Sequence, residues 1–385
     1  MTGAGPSRRS QAWASTAEGH QVTGGVTTAH SDAEPTVTPR APRGRQQREE
    51  LEEQVLQPGA TRARGAGDRA RAEEADPERT CFERDRDRIL HSAAFRRLAG
   101  KTQVFVYPAD HQRTRLTHAL EVAQVATAVA RGCGLNVALT EAIAIGHDCG
   151  HGPGGHASEE AFDTFLPDGY DHAVWGADVV LTPLNLCTQT LDGIRNHSWS
   201  RPSPGTPEGV VVSWADRVAY TAHDLEDAVH AGIVDAADLP DDVAAVCGRT
   251  RRDQLGTFVG ELVRCTSETG VIGMRAEYAA ALAGLRTFNY ERIYTRPEAL
   301  AQSASVVRIL RALVEYYLAH PQDLPADFQP GAPRLPSSLD VDPAVAAAVT
   351  YVGGMTDRFA FHTAVERLDW PVDQLPVGID LPRGP

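Results

Sequence analysis

The ten residues HDCGHGPGGH, 147 to 156, bring three histidines, an aspartate and four glycines together. Imidazole beside carboxylate suits a divalent metal, and glycine at this density suits backbone that bends sharply or comes close to a ligand. His147 and Asp148 close the apolar run LTEAIAIG, His118 lies within RLTHALEVAQVATAVARGCG, and Asp216 lies within VVVSWADRVAYTAHDLEDAVHAGI. Side chains from three facing helices can converge on one ion in a bundle core. Adjacent His and Asp project about 100° apart on a helix, so they share an ion only at the helix edge, with other helices completing its shell. Two imidazoles and two carboxylates without sulfur suit Mn, Mg, Fe, Co, Ni or Zn, and an open coordination position supports Lewis-acid polarisation or water activation. A single helical histidine is ordinarily a satisfied core residue. Here ten of the fourteen histidines fall between 91 and 230, several of them beside carboxylates.

The elements that must position these groups read as helices. Leu116, Leu120, Ala123, Val125, Ala126 and Val129 fall near one face of the first, and the Gly132–Gly134 region stops it. Asn136 or Thr140 caps the second, and Ser158, followed by Glu159 and Glu160, opens another after the glycine loop. SVVRILRALVEYYLAH, a proline-rich stretch near 320 to 340, and VAAAVTYVGGMTDRFAFHTAVERL read as helix, surface loop, helix. Strand signals are few, so the fold class is mainly α. Residues 1 to about 75 carry no sustained apolar period and are expected to be a disordered extension, with QQREELEEQVL a transient helix at most. Residues 76–375 are expected to form one helical unit, and 376–385 a tail.

Composition narrows the function classes. The chain has 385 residues, 42% hydrophobic and 23% charged, as in ordinary globular proteins. No apolar run is long enough to span a bilayer and the N-terminus lacks a secretory core, so no membrane partner and a cytoplasmic location are expected. Six scattered cysteines read as reduced thiols, Cys149 as a packing residue. A net charge of −14 argues against a nucleic-acid-coating surface and requires any anionic substrate to meet gathered positive charge. The glycine loop lacks the G-x-x-x-x-G-K-[ST] pattern and follows a helix, which excludes a P-loop.

Taken together, RTRLTHALEV, AIGHDCGHGPGGHASEEAF and WADRVAYTAHDLEDA resemble the HD-domain metal phosphohydrolases, and within them the deoxyguanosine triphosphate triphosphohydrolase (dGTPase-like) family. FERDRDRILHSAAFRRLAGKTQVF and YVGGMTDRFAF extend the resemblance over roughly residues 78 to 370. It implies a helical HD-domain bundle with an additional C-terminal helical region. The implied reaction is hydrolysis of a deoxynucleoside triphosphate to deoxynucleoside and triphosphate by water attack at the α-phosphorus.

The resemblance also assigns residues. Metal ligands are His118, His147, Asp148 and Asp216, holding Mn²⁺ or Mg²⁺ first among the ions above. His156 handles the departing 5′ oxygen or the attacking water, and Glu159 orients it; the plainer role for Glu159 is first-turn helix stabilisation. His151 and His172 lie along the phosphates. Arg115, one turn before His118, forks onto a phosphate or else makes a helix-surface ion pair. Arg217, beside Asp216, stands where relatives carry lysine or a polar residue and is a further substrate contact, and Arg286 is a candidate for the outer phosphates. Gln103, Tyr220 and Asp224 face the sugar, Tyr220 having a half-buried core role as its alternative. Relatives carry a bulky apolar residue at the position of Gly154 and a small one at that of Ser158, which predicts a looser pocket here. Another nucleotide as substrate, or a binding protein responsive to nucleotide or single-stranded DNA, stands as the competing function, and the family implies a homo-oligomer.

Overall fold

The computed structural model describes residues 7–22, 25–32, 37–106, 112–329 and 341–376. The chain divides into two units, Met1–Arg43 and Gly44–Pro385. In the first, Ser7 caps α1 (Arg8–Ser15), and β1 (His20–Val22) pairs antiparallel with β2 (Val26–Thr28), His20 opposite Thr28. None of its described side chains is buried. That agrees with a composition too polar to build a core.

The second unit opens with α2 (Arg45–Val55), and here the structure departs from the disordered extension expected as far as residue 75. Ala60 and Ala63 are buried in the main core. Thr61 donates its N–H and O–H to the fully buried Glu208 carboxylate at 3.1 and 2.6 Å, and Arg69 donates to the fully buried Asp85 at 2.6 Å. Buried carboxylates demand donors. These donors come from a segment distant in sequence, so no local apolar period announces the docking.

Helices α3 (Cys81–Leu90), α4 (Ala93–Arg97), α5 (Arg115–Cys133) and α6 (Val137–Gly146) follow. The glycine loop leads to α7 (His156–Asp163), α8 (His172–Trp175), α9 (Thr188–Arg195) and the long α10 (Pro207–His230). Then come α11 (Asp241–Cys247), α12 (Arg251–Thr269), α13 (Ala276–Asn289), α14 (Pro297–Ala319), α15 (Pro343–Gly353) and α16 (Asp357–Leu368). The mainly α class, a helical bundle with additional C-terminal helices, is what the structure holds. The segment expected as one last helix is two, broken at Gly354 and restarted by Thr356, whose Oγ1 accepts from Phe359 N. Residues 330–340 of the proline-rich stretch and 377–385 of the tail lie outside the described residues.

Local chemistry explains the three helices that carry the expected ligands. α5 ends at Gly134, whose φ of 66° supplies the left-handed cap, and Asn136 then caps α6 by accepting from Leu139 N at 3.1 Å. α5 buries Ala119, Val122, Ala123, Val125, Ala126 and Val129, while Leu120, expected on that face, points to solvent. α6 is buried almost all round, from Leu139 to Gly146, and packs against α3, α5 and α10. A helix apolar on every side belongs in the centre of a bundle. Thr206 caps α10 and Pro207 occupies its first turn.

Two apolar cores result. The larger joins α3, α5, α6, α10, α12 and α13; the other joins α7, α14, α15 and α16. The loop from Cys149 to Gly155 runs from one to the other.

Candidate active site

The loop is held by groups from both sides. Gly150 permits close approach: a Cβ there would lie 1.9 Å from His172 O and 2.5 Å from Gly176 N. Gly155 has φ 63° and sits against the Arg115 guanidinium, where a Cβ would come within 2.7 Å. Ser158 does not open α7, which starts at His156. Instead its buried Oγ accepts from Gly152 N at 2.9 Å and donates to Gly155 O at 2.6 Å. Asp357 accepts from Gly154 N at 2.8 Å and from Thr102 N at 2.9 Å, and Lys101 donates to the carbonyls of His151 and Gly353. Val306 occupies the space a side chain at Gly154 would need, 2.4 Å from the notional Cβ. Gly154 and Ser158, from which a looser pocket was expected, thus sit in a loop that is stapled on both sides.

Behind the loop, His118, His147 and Asp148 are buried and Asp216 is half-buried. His118 Nε2 lies 3.1 Å from Asp216 Oδ1 and 3.8 Å from Asp148 Oδ2; His147 Nε2 lies 3.4 Å from Asp148 Oδ1 and 3.6 Å from Asp216 Oδ1. His147 Nδ1–H donates to Ala144 O at 2.7 Å, which leaves Nε2 buried without a hydrogen-bond partner. Four ligands around one ion at about 2.1 Å would stand about 3.0 to 3.4 Å apart along their edges. The donor types and the orphaned nitrogen fit a divalent cation, and of the separations the 3.1 and 3.4 Å ones match this spacing while the 3.6 and 3.8 Å ones are wider.

Electrostatics agree. Burial would raise the Asp148 carboxyl, but His147, Arg115 and His151 hold it well below the usual range. Burial would likewise raise Asp216, and hydrogen bonding and charge from His118 and His147 hold it well down. For His147 burial pushes downward, and the two carboxylates outweigh it, leaving the ring at about 9. Positive charge is wanted between these groups. A cation would take the place of that proton.

Arg115 is only 2% exposed, so it is no helix-surface pair. Its Nη1 donates to Asp148 Oδ2 at 2.8 Å, while Nε and Nη2 have no partner. His151 Nε2 lies 3.3 Å from Asp148 Oδ1, and its ring stacks on His172 at 3.7 Å. Burial and the Arg115 charge hold His151 well below its ordinary range, so it is neutral. Glu159 serves two rings: its Oε2 is 3.2 Å from His156 Nδ1, and its Oε1 accepts from His172 Nδ1. Those contacts outweigh burial and keep Glu159 ionised. His156 is the outlier of the group, its side chain 72% exposed.

Of these groups Arg115, His118, Asp148, His151, His156, His172 and Asp216 line one cavity of ≈ 860 Å³, which His197 also lines. The sequence reading missed His197. Its Nδ1–H donates to Ile194 O at 2.8 Å, as His147 donates to Ala144 O, so each histidine just past a helix end aims Nε2 inward. That position after a helix was the available signal. Burial and the nearby His147 charge lower His197 to about 3.

Gln103, Arg217, Tyr220, Asp224 and Arg286 line the same cavity. Gln103 presents a buried Oε1 without a partner. Arg286 Nε donates to Tyr220 OH at 2.9 Å. The Arg217 guanidinium lies 3.4 Å above the centre of the Trp199 ring, and Trp199 Nε1–H donates to Ser213 O at 3.0 Å. Among the described residues neither arginine pairs with a carboxylate. Burial, and then the charge of Arg286, draw Arg217 below its usual pKa, against the pull of Tyr220. Asp224 is buried between Arg113 and Tyr294, which donate to its two oxygens. Arg113, Trp199 and Tyr294 were also missed. Nothing in their local sequence separates them from core residues.

The HD domain family matches residues 115–221, and the phosphohydrolase-associated domain family matches residues 272–366. A deoxyguanosinetriphosphate triphosphohydrolase-like protein of Caldanaerobacter subterraneus subsp. tengcongensis is 40% identical over 319 residues, covering 81% of this chain and 92% of that protein. Proteins of the same name from Clostridium tetani and Desulfatibacillum aliphaticivorans are 35% and 36% identical, covering 81% and 85% of this chain and 92% and 98% of their own. No helix among the described residues is long and apolar enough to cross a membrane.

Proposed function

The chain belongs to the deoxyguanosinetriphosphate triphosphohydrolase-like family of HD-domain phosphohydrolases, and from that premise we propose that it cleaves deoxynucleoside triphosphates to deoxynucleoside and intact triphosphate, water attacking the α-phosphorus. The observation that carries this reading is the meeting, in one cavity, of a four-donor cation site and two arginines without carboxylate partners. One wall is ready for a metal and the other for a polyanion.

When bound, a divalent cation held by His118, His147, Asp148 and Asp216 supplies Lewis-acid polarisation of the α-phosphoryl group. The chain's residues do the rest. Arg115 spends one edge of its fork on Asp148 and offers Nε and Nη2 to a phosphoryl oxygen. With the His151 Nε2 proton toward Asp148, Nδ1 is an open acceptor for a water hydrogen. The departing 5′ oxygen must gain a proton and the attacking water must lose one. His156 suits that exchange, because its Nδ1–H is turned to Glu159 and its Nε2 is free to give or take. Arg217, Arg286 and His172 take the outer phosphates. Gln103, Tyr220 and Asp224 face the sugar; each Asp224 oxygen already accepts one hydrogen bond and has capacity for a 3′-hydroxyl.

The test is a panel of four dNTPs and four NTPs, singly and mixed, with Mn²⁺ or Mg²⁺, separated by chromatography. Equal amounts of deoxynucleoside and triphosphate are expected. Release of orthophosphate or pyrophosphate, or no turnover by folded, metal-loaded protein, overturns the reading.

A further inference from the structure

We propose that Asp357, in the first turn of α16, is a positioning residue that sets two substrate-facing loops at once, the one carrying Gln103 and the one carrying His151 and His156. The inference rests on the activity proposed above, whose substrate those loops face. The Asp357 carboxylate is buried, and each of its oxygens serves a different loop. Oδ2 accepts from Thr102 N at 2.9 Å and from Thr102 Oγ1 at 2.5 Å; Oδ1 accepts from Gly154 N at 2.8 Å. Gln103 follows Thr102, His156 lies just past Gly154, and all four line the cavity. Asp357 is not among the lining residues, so it acts through them and not on the substrate. An aspartate in a first turn ordinarily stabilises its own helix. Here Thr356 already caps α16, and the three hydrogen bonds of Asp357 all leave the helix.

The same clasp reaches a third group. Thr102 pairs with Thr114 in an isolated antiparallel bridge, and Lys101 O accepts from Arg115 N at 3.3 Å. The segment that Asp357 holds therefore also sets the start of α5, where Arg115 offers its free guanidinium edge. The two loops touch: a Cβ at Gly155 would stand 2.9 Å from Thr102 O, so a shift of one is felt by the other. Lys101 Nζ adds a parallel tie, joining His151 O to Gly353 O at the end of α15. His118, His147, Asp148 and Asp216 lie outside both loops, on or at the ends of α5, α6 and α10. The clasp thus places phosphate-binding and proton-transfer groups without building the metal centre. It is also what the smaller core, to which α16 belongs, contributes to chemistry seated in the larger one.

The test is Asp357→Asn in the full-length protein. An amide has one acceptor oxygen and one donor nitrogen, so in either orientation it turns a donor toward one of the two N–H groups. With circular dichroism and bound Mn²⁺ unchanged, kcat should fall about 10²-fold. KM should be nearly unchanged, since Arg217 and Arg286 lie outside both loops. Amide hydrogen exchange, followed by mass spectrometry, should quicken in peptides covering 100–106 and 149–156 together. Ala360→Gly, on the apolar side of the same helix, controls for general loosening: it should lower Tm and leave kcat and both loops' exchange as they were. Thr102→Val keeps the backbone N–H and removes only the hydroxyl bond, so it should show a smaller fall in kcat, and it decides the matter if Asp357→Asn does not fold. Unchanged kcat in folded Asp357→Asn, or in Thr102→Val where that variant decides, overturns the inference. So does an equal fall in Ala360→Gly, or quickened exchange in one loop alone. If the unaltered protein cleaves no dNTP, the activity proposed above falls instead, and exchange alone decides whether Asp357 holds both loops.

Discussion

The side of the cavity that gathers the histidines and aspartates and the side that carries Arg217 and Arg286 are built on opposite terms. On the first, His118, His147, Asp148, His151, His172 and His197 are buried, each charge answered by another and the two inward-aimed histidines fixed through backbone carbonyls. On the second, Arg217 and Arg286 rest on a tryptophan face and a tyrosine hydroxyl, and Trp199 remains 46% exposed. A site that must place an ion needs donors locked by several helices. A wall that must take and release a polyanion needs positive charge left uncompensated until the ligand arrives. In a chain of net charge −14, two arginines without acidic partners are a deliberate local exception.

If that contrast is right, damage should be graded. The largest effect belongs to Asp148→Ala, which removes a ligand and leaves Arg115 and His147 without their buried counter-charge. Turnover should fall by on the order of 10³-fold or more, with loss of bound metal and a lowered Tm, read by steady-state assay, metal count and thermal melt. His156→Ala should cost on the order of 10²- to 10⁴-fold in kcat. Because that side chain is exposed, Tm should move by little, and bound metal should be unchanged. A His156→Ala protein that loses its metal would dissolve the boundary between a buried cation site and an exposed proton donor.

The two sides also differed in legibility. His118, His147, Asp148 and Asp216 stood out because helix periodicity puts them on three separate helices and the motifs around them, in their order, resemble one family; the His-Asp pair alone would have meant little. The mainly α class followed from the same periodicity. His197 was readable in principle, from its place after a helix end, but the helix TQTLDGIR is short and its terminus faint. Trp199, Arg113 and Tyr294 were not readable: their roles come from contacts across α5, α10 and the segment after α13, and their residue types are equally at home in a core. Residues 44–75 were misjudged for a related reason. They dock through hydrogen bonds to Glu208 and Asp85, which no local pattern of apolar residues records.

A smaller effect tests the contrast through pH. His147 is raised to about 9, so in metal-free protein it contributes stability that is full below its unfolded value of about 6.5 and lost as pH rises toward 9. His223, on α10 next to Asp224, has the opposite sign. Burial and then the Arg113 charge lower it to about 3, so its contribution is present above about 6.5 and lost as pH falls. At about 1.4 kcal/mol per pH unit, acidification from 6.5 to 5 should cost about 2 kcal/mol through this one ring. Urea titrations of His223→Gln should show that much less acid sensitivity than the unaltered protein. Equal acid sensitivity in both would mean that His223 charges freely in the folded state.

The smallest effect bears most directly on the wall. Trp199 offers Arg217 a ring face 3.4 Å away and is itself set by its bond to Ser213 O and by edge contact with Trp214 at 4.6 Å. A cation–π contact at a partly exposed site contributes about 0.5 to 1 kcal/mol. Trp199→Ala should therefore raise KM by about 2- to 5-fold with kcat nearly unchanged, since Arg217 keeps its charge but loses its fixed place. Trp199→Phe, which retains a ring face, should recover most of the loss, and steady-state kinetics on the three proteins decide it. A fall in kcat with KM unchanged would put Trp199 with the chemistry on the far side, and the division between a locked floor and a waiting wall would fail at the residue where it is most exposed.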